Sequence, residues 1–369
     1  MNLIGTLMKI IQPILLVAML TALSAGAHTP STTAQDDKIN SIAWSYLLPL
    51  TDETTGIGAR PAGSKSEKQA AEWITKKWQQ QGYAVQELGF KYNLGKQAFR
   101  SQNLVVDIKG KSEKTLVVGA HYDSTGHKAG SLGATDNASG VAAMLALSSQ
   151  LKNQSLPFSV RLIAFGAEEV GLQGARAYVK DQLSDKQQLI GMINLDTIIG
   201  GDNLYVHSAH TTAYKCKGLP NSKYNSETSL RDGLVSVSKA LFGSQHHRLH
   251  PAYNGYPEGV TGSWSDHSPF ACSDMPIAYL EATNFAIDGK DGNDGYSQTT
   301  SSELWDCYDD KNNTACDRKK EKSWGMIWHT KFDRLDTLEP VMPKRLAGQL
   351  QQNVDVLTQF VLTADKYLN

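Results

Sequence analysis

The sequence predicts an α/β protein with a mixed, mostly parallel central sheet covered by helices on both faces. Three observations carry that expectation. Short β-branched or apolar runs alternate with amphipathic stretches of helical length. One run, residues 115–120, is almost wholly apolar, as a strand buried on both faces is. Histidines and carboxylates recur just past the ends of such runs, where parallel sheets form ligand crevices.

The first segment, residues 1–27, stands apart. It has one charged residue, Lys9, then an apolar run over 10–23 and the small residues Ser24, Ala25, Gly26 and Ala27. That order reads as a secretory signal peptide cleaved after Ala27, and it predicts a periplasmic or secreted protein. Gln12 and Pro13 interrupt the run and leave it short of the ~20 apolar residues of a spanning helix, so no membrane anchor is expected after cleavage. Residues 28–369 then form a single catalytic domain with insertions, since they exceed the ~100–200 residues of an ordinary domain.

Along that domain the spacing predicts helices over 66–81, 137–151, 172–183, 230–242 and 343–367. Strands are predicted over 103–108, 115–120, 159–165, 189–195, 203–207 and 277–280. Two stretches, 243–262 and 286–323, are rich in Gly, Asn, Asp and Pro without a period, and read as long surface loops near the site. Residues 288–295 (DGKDGNDG) lack the ligand order of an EF-hand and read as solvated turns. A formal net charge of −1 and no block of Lys or Arg give no electrostatic reason to expect nucleic acid or a membrane surface. None of the four cysteines lies in a C-x-x-C pair, so disulfides are expected in an oxidising compartment. Cys307 and Cys316 bracket a short polar loop and are the first choice for a bridge, which leaves Cys216 with Cys272; all three connectivities stay formally open.

The chemistry lies in a constellation. His121 and Asp123 follow the run LVVGA, Asp136 opens a helix, Glu168 and Glu169 follow VRLIAFGA, Asp196 follows GMINL, and His329 precedes the last helix. Singly, each has an ordinary explanation as a turn pair, a helix cap or compensation of a helix dipole. Such a sheet, however, gathers these loops along one edge, where unpaired carboxylates would raise each other's pKa. A pair of divalent cations removes that cost. Imidazole nitrogen and carboxylate oxygen suit zinc, and His121, Asp136, Glu169, Asp196 and His329 supply two terminal ligands to each of two Zn2+ and one bridge. Asp123, two residues from His121 on extended chain, faces the same way and can orient the imidazole. Glu168 and Glu169 point in different directions, so one can ligate while the other serves as general base.

These motifs resemble the co-catalytic zinc aminopeptidases of the bacterial leucyl aminopeptidase and aminopeptidase Y type. The matching pieces are RPAGS (60–64), GAHYDS (119–124), GATDNASGVAAMLALS (133–148), AFGAEEVGLQGARAYV (164–179), NLD (194–196), SDHSPF (265–270) and HTKFD (329–333). They run in family order over most of the mature chain. The resemblance implies a zinc-exopeptidase, phosphorylase/hydrolase-like fold. It implies that His121 and Asp196 hold one zinc, Glu169 and His329 the other, Asp136 bridges, Glu168 is the base and the Asp136–Asn137 bond is cis. Arg334 departs from the Thr that often follows the H-T-x-x-D segment. Residues 194–208, 256–266, 280–285 and 294–296 are further similar to the periplasmic alkaline-phosphatase isozyme-conversion aminopeptidases. That likeness implies peptide or protein substrates with a basic N-terminal residue, which calls for an acid not consumed by metal. Glu258, Asp266 and Glu281 are the candidates, with Asp266 first because SDHSPF borders the substrate pocket in the resembled family. Against this reading stand a single-zinc glutaminyl cyclase, a non-catalytic binding module and a carboxypeptidase. The complete ligand set and base, and the lack of a basic cluster for a C-terminal carboxylate, favour the aminopeptidase.

Overall fold

The computed structural model describes residues 41–126, 129–183, 189–219, 223–243 and 246–368. The signal peptide read at 1–27 lies outside them. Helices α1 (Ile42–Thr51) and α2 (Lys65–Gln80) lead into the hairpin β1 (Gln86–Leu94) and β2 (Gln97–Ile108), then β3 (Ser112–His121). A short π turn (Ala134–Ala138) opens α3 (Ser139–Leu151), followed by β4 (Phe158–Phe165), α4 (Gln173–Gln182), β5 (Leu189–Leu195) and β6 (Asn203–Ala209). Next come α5 (Ser229–Phe242), the two-residue strands β7 (His247–Arg248) and β8 (Val260–Thr261), α6 (His267–Ala271) and β9 (Ile277–Thr283). A small hairpin, β10 (Tyr308–Asp309) and β11 (Thr314–Ala315), precedes α7 (Leu335–Val341) and α8 (Arg345–Leu362).

The sheet runs β1-β2-β4-β3-β5-β9-β6-β7, with β8 beside β6. Its middle, β4-β3-β5-β9, is parallel, the pairs β1–β2, β2–β4 and β9–β6 are antiparallel, and β6 runs parallel to β7 and β8. Alternation along the strands separates two cores. Leu116 and Val118 face a large cluster with α1, α2, α3, α5 and α8, while Val117 faces a smaller one with α4 and α6. Helices therefore cover both faces, and the mixed, mostly parallel α/β architecture is the one the periodicity predicts. Because β4, β3 and β5 are neighbours and parallel, the chain leaves all three at one edge of the sheet.

Three features escape the periodicity. Helix α1 is too uniformly apolar to show a stripe and contains Pro49 near its end. Strand β1 and the first half of β2 are mostly exposed and polar, so their hairpin lacks the buried alternation that marks a strand. The long loops at 243–262 and 286–323 contain β7, β8 and the β10–β11 hairpin. Two disulfides join Cys216 to Cys272 and Cys307 to Cys316, and no described cysteine is free.

Candidate metal centre and active-site cavity

His121 is the last residue of β3, and Asp123 lies two residues beyond it. The His121 Nδ1 is 3.3 Å from the Asp123 carbonyl oxygen and 3.6 Å from its Oδ1, which turns Nε2 toward the sheet edge. The fully buried Asp123 carboxylate also accepts the backbone N–H groups of Glu168 (3.0 Å) and Glu169 (3.1 Å). One side chain thus couples the exits of β3 and β4, a second task that sequence reasoning had not given it.

Asp136 sits in the π turn, its peptide bond to Asn137 cis. Asn137 fastens this turn by donating to the Leu195 carbonyl (2.7 Å) and accepting the Gly140 N–H (3.0 Å). Asp136 divides its carboxylate between the histidines: Oδ1 is 3.2 Å from His121 Nε2, and Oδ2 is 3.2 Å from His329 Nε2. Asp196 Oδ1 lies 3.4 Å from His121 Nε2, and Glu169 Oε2 lies 2.8 Å from His329 Nε2. His329 adopts a positive φ of 60°, uncommon for a non-glycine residue. Glu168 Oε2 stands farther back, 4.0 Å from His121 Nε2. The ligand atoms of His121, Asp136 and Glu169, and those of His121, Glu168 and Asp196, lie within 4.8 Å of one another.

Two supporting residues were missed. Ser265 donates to Asp196 Oδ2 (2.6 Å) and accepts from the Asn194 amide (2.8 Å). The buried Asp333 accepts from Thr135 N–H (2.6 Å), Thr135 Oγ1 (2.9 Å) and Ser131 Oγ (3.0 Å), pinning the His329 loop to the Asp136 turn. Both lie inside motifs quoted above, but a hydroxyl or carboxylate aimed at another loop leaves no periodic trace. Arg334 pairs with Asp336 and Glu53 at the surface, 3.0 and 3.1 Å away.

The electrostatics are those of an acid cluster in need of positive charge. Burial pushes the Glu168 carboxyl well above its usual range; His121 opposes the shift, and Asp266, Glu169 and Asp196 reinforce it. Burial, with Asp136 adding, raises Glu169 to about 7 against the pull of His329. Burial alone would raise Asp136, but hydrogen bonds from His121 and His329 hold it below the usual range. Burial lowers the His329 pKa, yet Asp136 and Glu169 outweigh it and lift the group to about 10. Glu169 Oε1 and both oxygens of Asp266 are buried without a hydrogen-bond partner. The partnerless Glu169 oxygen and the Asp136, Glu169 and Asp196 oxygens close to the His121 and His329 nitrogens form a donor set that fits zinc.

The cluster opens into a cavity of about 870 Å³. Asp136, Glu168, Glu169, Asp196 and His329 line its inner end, and the 251–256 and 291–298 segments wall its outer part. Glu281, on β9, lines it as well, with Oε1 2.9 Å from His207 Nε2, though not aligned as a hydrogen bond. Asp266 is fully buried at the start of α6 and does not line the cavity, and Glu258 is exposed outside it. Of the three acids weighed for a substrate side chain, Glu281 is the one that faces this space.

Histidines and carboxylates gathered at the open edge of a parallel sheet, above a large cavity, define a metal-dependent hydrolase. The model of peptidase family M28 matches residues 103–353, and the chain belongs to that family, a zinc-dependent hydrolase of peptide bonds. It is similar to the alkaline phosphatase isozyme conversion protein of Escherichia coli (strain K12), 27% identical over 261 residues covering 64% of this chain and 72% of that protein. It is also similar to aminopeptidase YwaD of Bacillus subtilis (strain 168), 32% identical over 208 residues that cover 54% of this chain and 42% of that one. The match thus spans less than half of the Bacillus protein. Among solved structures, a zinc aminopeptidase from Bacillus subtilis aligns with a TM-score of 0.59 and 18% identity, over 88% of this chain and 94% of that one. A glutaminyl cyclase from Porphyromonas gingivalis aligns with a TM-score of 0.56 and 15% identity, over 89% and 97%. At these identities the likeness is one of fold.

Proposed function

We propose that this protein is an exported aminopeptidase that uses two zinc ions to remove N-terminal residues from peptides, with a preference for basic side chains. The observation that carries the reading is the division of the Asp136 carboxylate between His121 and His329, with Asp196 beside the first and Glu169 beside the second. In this reading His121 and Asp196 would hold one zinc, Glu169 and His329 the other, and Asp136 both.

When bound, the metal pair supplies Lewis acidity for the scissile carbonyl and lowers the pKa of water. Glu168, beside the ligands but set back from His121, takes the proton of the attacking water on a carboxylate oxygen as the C–O bond forms and then delivers it to the amide nitrogen, after which the C–N bond breaks and the amine leaves. Asp123 holds the two glutamates through their backbone N–H groups and orients His121 through Nδ1. The inner wall is acidic and suits a free α-amine, which confines cleavage to the N-terminus. Beyond it the lining carries Glu281, Asp291 and Asp294 with aromatic faces such as Tyr253 and Trp328, and no Lys or Arg among the described residues. Acids and aromatic faces together recognise a guanidinium or ammonium group.

The test is hydrolysis of a panel of aminoacyl-nitroanilides with and without a chelator. Chelation should abolish turnover, zinc should restore it, and arginyl should exceed leucyl substrates in kcat/KM by ~10-fold or more. No hydrolysis with zinc restored removes the aminopeptidase reading, and ring closure of N-terminal glutamine would assign a cyclase instead. A leucyl preference removes the basic-side-chain part alone.

A further inference from the structure

The RPAGS motif and the start of α2 supply neither a proposed zinc ligand nor a cavity-lining residue, yet they hold an arginine and a glutamate at 0% and 3% exposure. A buried arginine normally meets a carboxylate. Arg60 meets five backbone carbonyls instead. Its Nε donates to Tyr122 (2.8 Å), Nη1 to Leu50, Gly58 and Leu132 (2.8, 2.8 and 2.9 Å), and Nη2 to Gly133 (2.9 Å). Its own backbone exchanges hydrogen bonds with Ser124, giving N–H to Ser124 Oγ and taking Ser124 N–H on its carbonyl. Tyr122 and Ser124 flank Asp123 at the exit of β3, and Leu132 and Gly133 precede the Asp136 turn. Gly133 marks how close this approach is, because a Cβ there would lie 2.7 Å from Arg60 Nη2 and 2.5 Å from Ser124 Cβ.

Glu67 completes the arrangement from the first turn of α2. Its own N–H caps on Ser64 Oγ (3.1 Å), while its carboxylate accepts from Gly63 N–H (2.6 Å), Ser101 Oγ (2.6 Å) and Ala167 N–H (3.1 Å). Ala167 is the residue before Glu168 and turns the chain with a positive φ of 54°. An eight-residue stretch of chain therefore reaches all three loops that carry His121, Asp136 and the Glu168–Glu169 pair.

We propose that Arg60 and Glu67 are positioning residues that set the spacing of those three loops, and through it the affinity of the site for metal and the placement of the base. Carbonyls spread over four segments need the planar fork of a guanidinium, and the point charge of a lysine cannot reach them together. Gly63 N–H uses one carboxylate oxygen and Ser101 Oγ and Ala167 N–H share the other, so a glutamine at 67, with one acceptor oxygen, weakens either the Gly63 contact or the Ser101–Ala167 pair. Arg60 also brings a fixed positive charge beneath an acidic site. Burial lowers its pKa to about 10, while Asp333, Asp123, Asp136 and Glu169 oppose that shift, and it stays charged at neutral pH.

The proposal rests on the metallopeptidase reading, so its test measures zinc binding separately from turnover. Arg60→Lys and Glu67→Gln are purified alongside wild type, folding is checked by circular dichroism and thermal unfolding, and zinc affinity is read by competition with a chromogenic chelator. Each variant should bind zinc ~10–100-fold more weakly. At saturating zinc kcat should fall, while KM for the best nitroanilide stays within about twofold. Folded variants with wild-type zinc affinity and kcat, or a loss confined to the unfolding temperature, overturn the proposal. If Arg60→Lys does not fold, Glu67→Gln decides alone by the same criteria. Wild type that binds zinc tightly but hydrolyses no aminoacyl substrate would sink the aminopeptidase reading and leave this comparison of affinities intact.

Discussion

Glu168 and Glu169 are adjacent, yet the fold gives them opposite surroundings. Glu169 reaches His329 at 2.8 Å, while Glu168 remains 4.0 Å from His121. Removing the Glu168 charge should therefore spare the metal and stop proton transfer: Glu168→Gln should keep wild-type zinc content and lose at least ~10²-fold in kcat. Asp136→Ala removes the shared carboxylate and should lose zinc and activity together. Zinc analysis of the two purified variants settles the division, which fails if Glu168→Gln comes out metal-free. The specificity acid yields a second prediction. Glu281→Gln should narrow the arginyl-to-leucyl ratio of kcat/KM by ~10-fold or more, because only Glu281 of the three acids faces the cavity. If Asp266→Asn narrows the ratio and Glu281→Gln does not, the assignment returns to Asp266. The proposed ligands His121, Asp136, Glu169 and Asp196 are legible in sequence because each lies just past an apolar strand or at a helix start, while His329 sits in a loop with no such rule and is legible only through its motif. Which way Asp266 and Glu281 point has no such rule. Asp266 opens a five-residue helix that turns it inward, and Glu281 interrupts a mostly apolar strand whose facing space forms only on folding. Arg60 was visible only as part of a motif, since partners that are backbone carbonyls of distant segments leave no mark on the sequence.

Elements with a strong apolar pattern announced themselves, and elements held by partners did not. Helix α8 carries a helical apolar stripe, the strands β3, β4 and β5 are short apolar runs buried on both faces, and their spans agree with the sequence reading to within a few residues. The β1–β2 hairpin is held by pairing to β4 through β2, and the two loops by side-chain bonds, neither of which has a period. The loop at 286–323 is the clearest case. Its cavity-lining part is backed by the β10–β11 hairpin: Asp288 N–H donates to the Asn313 carbonyl (3.1 Å), Thr314 Oγ1 to the Asp288 carbonyl (2.7 Å), and Arg318 pairs with Asp288 at 2.6 Å. Cys307–Cys316 closes that hairpin across a sequence separation of 9. In the chain-entropy account a loop of this size contributes about 2–3 kcal/mol. Cys307→Ser with Cys316→Ser should therefore open the loop locally, read as faster proteolysis within 286–323 while the sheet stays resistant and titratable thiols in the denatured, non-reduced wild type stay absent. Unchanged proteolysis would mean the hairpin is held by its other bonds alone.

At the scale of the molecule, the proposed ligands bring together five segments that are far apart in the chain. His121 leaves β3, Asp136 opens α3, Glu169 follows β4, Asp196 follows β5, and His329 precedes α7, a span of more than half the chain. An unfolded chain cannot present such a set, so zinc affinity at the site is also folding free energy. At a free zinc concentration one hundred times the dissociation constant the stabilisation is about 2.7 kcal/mol. A kilocalorie shifts the midpoint of a 150–250-residue protein by ~2–4 °C and that of a longer chain by less, so the unfolding temperature should rise by several degrees. Metal also relieves the repulsion among buried carboxylates, because Glu168 and Glu169 are held well above their ordinary range without it. The two active-site variants sharpen the measurement. Glu168→Gln, inactive but with its ligands intact, should keep the full zinc-dependent rise in scanning calorimetry, whereas Asp136→Ala should lose it. A wild-type protein whose unfolding temperature ignores zinc at concentrations that saturate activity would show that these five segments do not share the metal, and the ligand assignment would fall with it.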